Sequence, residues 1–317
     1  MKEYIINSNQ ENKRLDKFLM SVLPKAPSSF VYKMLRKKNI KLNGAKAEGN
    51  EKLKSGDIVN LYLSDETFDS FQDSHSNNNK NNEYIKAYSV IKGVRVVYED
   101  QDILIMDKPG NLLSQKSKPE DLSLNEWMVG YLIDKNIINS NDLSTFKPSV
   151  LNRIDRNTKG LVIGAKTLKG AQCVSAMLKD RSLKKYYKAT VHGIVKESRL
   201  LEGYLVKDNL TNKVSVYDKM PARIDGKDKP QLIKTFYRPL EVKGDDTVLE
   251  IELITGKSHQ IRAHLASVGY PIVGDMKYGT ADRRIVHGKG QELVAYKLVF
   301  PDECEIDSLK GRVVEIV

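Results

Sequence analysis

Residues Pro148–Thr167 read PSVLNRIDRNTKGLVIGAKT and join a short charged loop directly to an apolar strand. The loop carries Asp155 between Arg153 and Arg156, and the apolar strand covers Leu161–Ala165. Two neighbouring guanidinium groups favour the ionised form of an aspartate, and a buried strand gives such a loop a rigid mount. These features suit a catalytic carboxylate, although an ion-paired loop on a basic surface would have the same composition.

This stretch resembles the active-site motif of the RluA family of pseudouridine synthases, His-Arg-Leu-Asp-x-x-Thr-Ser-Gly-Leu. The matching residues here run from Asn152 to Leu161, and the family's catalytic aspartate falls on Asp155. Two positions depart from the motif, because Asn152 replaces the usual histidine and Lys159 replaces the usual serine. Neither position performs the chemistry in that family, so we expect these departures to affect fine tuning.

The chain has 317 residues and a formal net charge of +11. This length predicts two domains, and the positive charge predicts a polyanionic partner, either nucleic acid or an anionic membrane surface. The sequence has no apolar run long enough to span a bilayer, and its N-terminus lacks the apolar core of a signal peptide. Cys173 and Cys304 lack the spacing of a zinc site, so we expect reduced thiols in a cytoplasmic protein.

The first 64 residues predict a small basic domain. Apolar spacing indicates a helix from Leu15 that stops at Pro24, and a second helix from Phe30 to about Lys38 with a serine cap. An alternating strand then enters the turn Asn43-Gly44. Residues 1–63 hold 13 Lys or Arg and 6 Asp or Glu, a net charge of +7. The domain is therefore either an RNA clamp or an ordinary solvated basic surface.

The order of helices, turn and strand in this domain also resembles the S4 RNA-binding domain. Its basic helix precedes a segment of the form x-Ile-x-Val-Asn-Gly, which matches Ile40 to Gly44 here. In that domain the basic helix face contacts RNA. The resemblance therefore implies RNA contacts for four residues: Lys33, Arg36, Lys37 and Lys38.

Residues 65–84 are polar and rich in Asn, Ser and Asp, which predicts a flexible linker. Residues 85–317 would then form the catalytic domain. A basic domain on a tether raises the effective concentration of the catalytic domain at its substrate.

The catalytic domain carries five further motifs of the same family, four of which are short patterns on either side of a longer one. Residues 94–110 match its opening pattern, and Lys185–Gly193 matches Lys-x-Tyr-x-Ala-x-Val-x-Gly. Residues 271–279 and 293–301 match its two closing patterns. The resemblance places the tyrosine that packs on the target base at Tyr187, although strand tyrosines usually belong to a core.

The segment Thr255–Leu265 matches the family's Leu-x-Thr-Gly-Arg-x-His-Gln-Ile-Arg-x-His pattern almost throughout, with lysine at position 257. It predicts a helix with Ser258 as cap, and it places the arginine that pairs with the catalytic aspartate at Arg262. Polar groups at such a helix start can hold an anion. His259 and His264 are five residues apart and do not share a face, so we expect no metal site. The RNA-binding residues expected in this domain are Arg153, Lys257 and His259.

Together these motifs imply an α+β protein: a mixed, largely antiparallel sheet with flanking helices, preceded by the S4-like domain. The expected activity is the isomerisation of uridine to pseudouridine in structured RNA, most simply large-subunit ribosomal RNA, by a monomer without a cofactor. Transfer RNA is an alternative substrate. A ribosome-assembly factor that binds RNA without catalysis is the alternative from another class.

Overall fold

The computed structural model describes residues 1–7, 10–71, 76–139, 143, 146–208, 210–222, 228–279 and 290–316. Its helices are α1 Leu15–Val22, α2 Ser28–Arg36, α3 Asp65–Ser70, α4 Ser76–Val90, α5 Leu124–Asp134, α6 Leu168–Asp180 and α7 Gln260–Ser267. Its strands are β1 Lys2–Ile5, β2 Ile40–Leu42, β3 Ala45–Lys46, β4 Ile58–Leu61, β5 Arg95–Glu99, β6 Ile103–Lys108, β7 Ser149–Val150, β8 Lys159–Ala165, β9 Lys184–His192, β10 Arg199–Asp208, β11 Lys213–Tyr217, β12 Gln231–Lys243, β13 Asp246–Leu253, β14 Leu293–Val299 and β15 Val313–Glu315.

The N-terminal residues build a four-stranded antiparallel sheet in the order β1-β4-β2-β3, with α1 and α2 packed on it through a separate apolar core. Asn43 and Gly44 have φ values of 51° and 75°. Positive φ at both positions suits a two-residue hairpin turn, so the predicted Asn-Gly turn is present between β2 and β3. The predicted serine cap of α2 is wrong, because Pro27 occupies the N-cap position and no side chain caps the helix.

The segment predicted as a flexible linker contains helical structure, since α3 and the first part of α4 lie within residues 65–84. Phe68 of α3 joins the core of the small domain, whereas Tyr84 of α4 joins the core of the large one. Composition did not indicate these helices, because the stretch is polar and few of its side chains, among them Phe68 and Tyr84, enter a core.

The remaining strands form an eleven-stranded sheet whose main path runs β11-β10-β12-β13-β9-β14-β8-β6-β5, with β15 on β14 and β7 on β8. Within the described residues only β8 and β14 pair in parallel, which agrees with the predicted mixed, largely antiparallel sheet. The sheet places the C-terminal end of β7 and the N-terminal end of β14 beside the loop that carries Asp155.

The central strands β6 and β8 are covered on both faces, because alternate side chains enter two different cores. The first core contains the buried face of β9 and packs against α5 and α7. The second contains α6 and the C-terminal residues. There Cys173 and Cys304 meet as free thiols, with their Sγ atoms 3.7 Å apart.

Candidate active site

The loop between β7 and β8 is closed at its base by Asn152. Its side-chain Oδ1 accepts a hydrogen bond from the Ile163 amide at 2.7 Å, and its Nδ2 donates to the Leu161 carbonyl at 3.4 Å. Asparagine therefore does structural work at the position where the RluA motif has histidine. The departure noted in the sequence leaves the loop anchored to the strand that supports it.

The residues on either side of Asp155 are held through their backbones. The Ser114 hydroxyl donates to the Ile154 carbonyl at 3.0 Å and accepts from the Ile154 amide at 3.2 Å. On the other side, the Lys108 ammonium donates to the Arg156 carbonyl at 3.1 Å. These two contacts limit the movement of the Asp155 backbone. Sequence reasoning missed both residues, since neither interaction is visible in a local pattern.

Lys108 is completely buried beneath this loop. Its ammonium also donates to the carbonyls of Pro109 and Leu112, at 3.0 and 2.7 Å. Burial lowers the pKa of Lys108 to about 8, although the negative charges of Asp155 and Asp107 oppose this shift. Three carbonyl acceptors compensate the buried ammonium, so this lysine ties its own segment, residues 108–112, to the Asp155 loop.

The far end of the loop depends on close packing against β14. The Gln291 amide donates to the Thr158 hydroxyl at 2.7 Å. Gly160 has φ 114°, and a Cβ atom there would lie 2.1 Å from the Ala295 carbonyl oxygen. Only glycine is compatible with this approach. Lys159, the second departure from the family motif, is exposed and leaves that packing unaffected.

Helix α7 brings the second half of the site to Asp155. Buried Gln260 donates to the Lys234 carbonyl and the Thr235 hydroxyl, at 3.0 and 2.9 Å, while Ile261 enters the core. Buried His264 makes a 3.0 Å hydrogen bond with Thr235. The helix begins at Gln260 with His259 as N-cap and no side-chain cap, so the predicted Ser258 cap is wrong. A left-handed residue at 259 moves the helix start past the serine.

Arg262 lies between two carboxylates. Its NH1 donates to Asp155 Oδ2 at 2.8 Å, while Nε and NH2 donate to the two oxygens of Asp275, each at 2.7 Å. Burial alone would lower the pKa of Arg262, but the hydrogen bonds and charges of Asp275 and Asp155 raise it overall. The predicted pairing of Arg262 with Asp155 is present in the structure.

Asp275 is the carboxylate that the sequence analysis did not single out. Its side chain is 0% exposed, whereas that of Asp155 is 25% exposed. Asp275 Oδ1 also accepts from the amides of Lys277 and Tyr278. These contacts with Arg262 and the backbone lower the pKa of Asp275 against the opposing effect of burial. The two carboxylates thus divide the work: Asp275 fixes the arginine, and Asp155 remains accessible.

Tyr187 lies on the face of β9 that points into the first core, between Ile251 of β13 and Ala295 of β14. The side chain is 6% exposed. Burial raises the pKa of Tyr187, and the charge of Asp155 raises it further. The charge of Asp155 therefore acts on the Tyr187 hydroxyl. This is expected of a residue that packs on the target base next to Asp155.

The other residues predicted to bind RNA are mostly exposed. Arg153 and Lys257 are exposed at the two loops of the site, and His259 is partly buried beside Tyr278. In the small domain, the four predicted basic residues are all exposed on α2 and the turn that follows it, namely Lys33, Arg36, Lys37 and Lys38. His259 and His264 have different hydrogen-bond partners, which agrees with the expectation that they do not face each other.

Among the described helices, none combines the length and the apolar composition that crossing a bilayer requires.

Known proteins resemble this chain in sequence and in fold. Residues 102–267 match the family model described as RNA pseudouridylate synthase. An uncharacterized RNA pseudouridine synthase from Mycoplasma genitalium is 32% identical over 94% of this chain and 89% of its own length. Ribosomal large subunit pseudouridine synthase C from Buchnera aphidicola is 30% identical over 87% of this chain and 80% of its own length.

The fold is shared with the human RNA pseudouridylate synthase domain containing 4, which has a TM-score of 0.56 and 19% sequence identity. That likeness covers 74% of this chain and 92% of the human one. It supports the pseudouridine synthase fold that the motifs implied. The family match covers more than half of this chain, and it includes the Asp155 loop, Tyr187 and Arg262. The chain therefore belongs to the RNA pseudouridylate synthase family, as its RluA-like motifs predicted.

Proposed function

We propose that this protein converts uridine to pseudouridine in large-subunit ribosomal RNA, with Asp155 as the catalytic carboxylate. One observation carries the proposal: Asp155 is partly exposed, is mounted on a clamped loop, and is paired through one oxygen with an arginine that Asp275 holds. Within the described residues, its second oxygen has no hydrogen-bond donor. That arrangement leaves a carboxylate oriented and available to a substrate.

The reaction breaks the bond between ribose C1′ and uracil N1 and forms a bond between C1′ and C5. The proton on C5 is lost and N1 gains a proton, so no group or electron enters or leaves overall and the reaction requires no cofactor. Asp155 acts as nucleophile at the sugar or the base, or as base and charge stabiliser. Arg262 orients it and balances its charge. Tyr187 provides an aromatic surface for a base that has left its stack.

Ribosomal RNA is proposed as the substrate because a relative matched over most of this chain carries the name ribosomal large subunit pseudouridine synthase C. We further propose that the protein acts as a cytoplasmic monomer. The S4-like residues 1–64 would bind RNA through the exposed charges of Lys33, Arg36, Lys37 and Lys38, with Arg153, Lys257 and His259 contacting RNA near Asp155. The net charge of +7 on residues 1–63 supports this role.

The test maps pseudouridine in total RNA from cells lacking the protein, complemented with wild type or with Asp155→Ala. We expect one or more positions in large-subunit ribosomal RNA to lose pseudouridine, and only wild type to restore them. Loss confined to transfer RNA would replace the proposed substrate. Full restoration by Asp155→Ala would overturn the role of Asp155, and no change at any position would favour an RNA-binding assembly factor without catalysis.

A further inference from the structure

His259 has a backbone conformation that is uncommon for a non-glycine residue. It has φ 55° and ψ 12°, in the left-handed region, at the N-cap of α7. Non-glycine residues adopt this region rarely, and it persists where the surroundings impose it. Here the next residue, Gln260, is tied to β12, and Arg262 is tied to Asp275. The fold thus holds the His259 backbone in place.

One nitrogen of the His259 ring is already engaged. Its Nδ1 lies 2.8 Å from the Tyr278 hydroxyl, which also accepts a hydrogen bond from the Val214 amide at 3.0 Å. The Tyr278 hydroxyl has a single proton, and the described residues offer it no other acceptor. Donation to Nδ1 satisfies that proton. It leaves the histidine as the neutral tautomer, with its remaining proton on Nε2.

The His259 ring lies near the Asp155–Arg262 pair, because its partner Tyr278 has the Arg262 guanidinium over its ring, 5.2 Å from the ring centre. The charges of Asp155, Arg262 and Lys277 all act on this ring, and burial lowers the pKa of His259. Within the described residues, Nε2 has no hydrogen-bond partner. A partly buried N–H donor of fixed tautomer is therefore available beside the proposed catalytic carboxylate.

We propose that His259 Nε2–H donates a hydrogen bond to an oxygen of the target nucleotide, either a uracil carbonyl or the adjoining phosphate, and thereby positions it against Asp155. This inference rests on the proposed function and assigns a specific atom to a role in it. Tyr278 acts through His259, because it selects the tautomer that donates. The competing explanation is that His259 serves only to support Tyr278.

Two substitutions separate these explanations, because each places a polar side-chain atom where one of the two ring nitrogens lies. In His259→Gln the side-chain amide reaches the place of Nε2 and loses the contact with Tyr278. In His259→Asn the amide oxygen takes the place of Nδ1 and retains that contact, but no donor reaches the nucleotide. Asparagine also tolerates the left-handed backbone, so strain at residue 259 does not confound the second variant.

The experiment uses full-length protein and ribosomal RNA purified from cells that lack it. Single-turnover pseudouridine formation is followed with wild type, Asp155→Ala, both variants and His259→Ala, and RNA affinity is measured in parallel. We expect His259→Asn and His259→Ala to slow the reaction by about tenfold or more, while His259→Gln stays within about fivefold of wild type. A rate loss at unchanged affinity identifies a uracil carbonyl as acceptor, and a parallel loss of affinity identifies the phosphate.

A normal rate in His259→Ala, or a rate in His259→Asn above that of His259→Gln, would overturn the inference while leaving the function intact. Wild type without pseudouridine formation on this RNA would overturn the proposed function, and the inference with it. Asp155→Ala gives the background rate for these comparisons.

Discussion

Charge is arranged in opposite ways in the Asp155 site and on helix α2. At the site, Arg262 is 10% exposed and shared by two carboxylates, and Lys108 is fully buried among carbonyls. On α2 and the turn after it, Lys33, Arg36 and Lys37 are exposed and form no ion pair within the described residues. Catalysis at one atom requires fixed charges, whereas affinity for a polyanion needs exposed cations that can pair with its phosphates and displace the counterions bound there.

The strongest test of this contrast is removal of the carboxylate that fixes the arginine. Asp275→Ala would leave Arg262 buried with one partner and would also remove the acceptor of two backbone amides. Breaking a buried ion pair in this way costs about 3–5 kcal/mol, so we expect that loss in the free energy of unfolding and a large loss of activity. Denaturant titration and pseudouridine formation measure the two effects.

Asp155→Ala is the matched control, because it removes the more exposed partner of the same arginine. We expect it to abolish activity with a much smaller change in stability. Equal losses of stability in the two variants would contradict the division of work between the carboxylates.

A second test concerns the buried His264. Burial lowers its pKa to about 4 from 6.5, with Asp218 opposing the shift. Below pH 6.5 His264 therefore binds a proton in the unfolded chain, whereas in the folded protein it stays neutral down to about pH 4. The contribution of His264 to the free energy of unfolding should be fully present above pH 6.5. Between pH 6.5 and 4 the free energy of unfolding should fall by up to about 1.4 kcal/mol for each pH unit of acidification.

Unfolding titrations across this pH range should give a flatter profile for His264→Asn than for wild type. Asparagine retains an acceptor near the position of Nδ1, which bonds Thr235, but it does not titrate. Parallel profiles for the two proteins would show that other groups cause the acid sensitivity.

Ser114→Ala tests the backbone clamp and should have a smaller effect. It removes a buried hydroxyl that bonds both the amide and the carbonyl of Ile154. An unsatisfied buried amide costs about 1–3 kcal/mol, and the freed loop should also lower the rate by about tenfold. Ser114→Thr retains the hydroxyl and should recover most of the rate. Identical rates for serine, alanine and threonine at this position would show that Ser114 does not help to position Asp155.

The sequence predicted helices α1, α2 and α7, strands β2 and β8, and the three residues that the site brings together. Asp155, Tyr187 and Arg262 lie in motifs whose spacing is local, and β8 follows the charged loop as a continuous apolar run. Strand β1 and the meander β10 to β12 were not assigned, and their positions depend on pairings with distant strands.

Asp275, Ser114 and Lys108 were missed as site residues for a related reason. Each acts through a contact with a residue 13 to 48 positions away, which no local pattern reveals. Asp275 lies inside the recognised motif Pro271–Gly279. Arg262 is buried and Asp155 is a partly exposed partner, and this combination would have been the signal for a second carboxylate.

The mildest prediction concerns the exposed charges of α2. We expect the double variant Lys33→Ala/Arg36→Ala to weaken RNA binding and to reduce the slope of log affinity against log salt by about two. Because both side chains are exposed, Tm should stay within about 2 °C of wild type. The rate at saturating RNA should also be unchanged, since the Asp155 site remains intact.

The control is Lys17→Ala/Lys52→Ala, which removes the same charge from two other exposed positions of the small domain. Loss of net charge alone would weaken long-range attraction in both double variants alike, and this attraction is screened at high salt. If Lys33 and Arg36 contact phosphates directly, their loss reduces the slope of log affinity against log salt in the α2 variant, whereas the control variant keeps the wild-type slope. Equal slopes would therefore make α2 an ordinary solvated surface, and RNA binding would have to rest on charges nearer to Asp155.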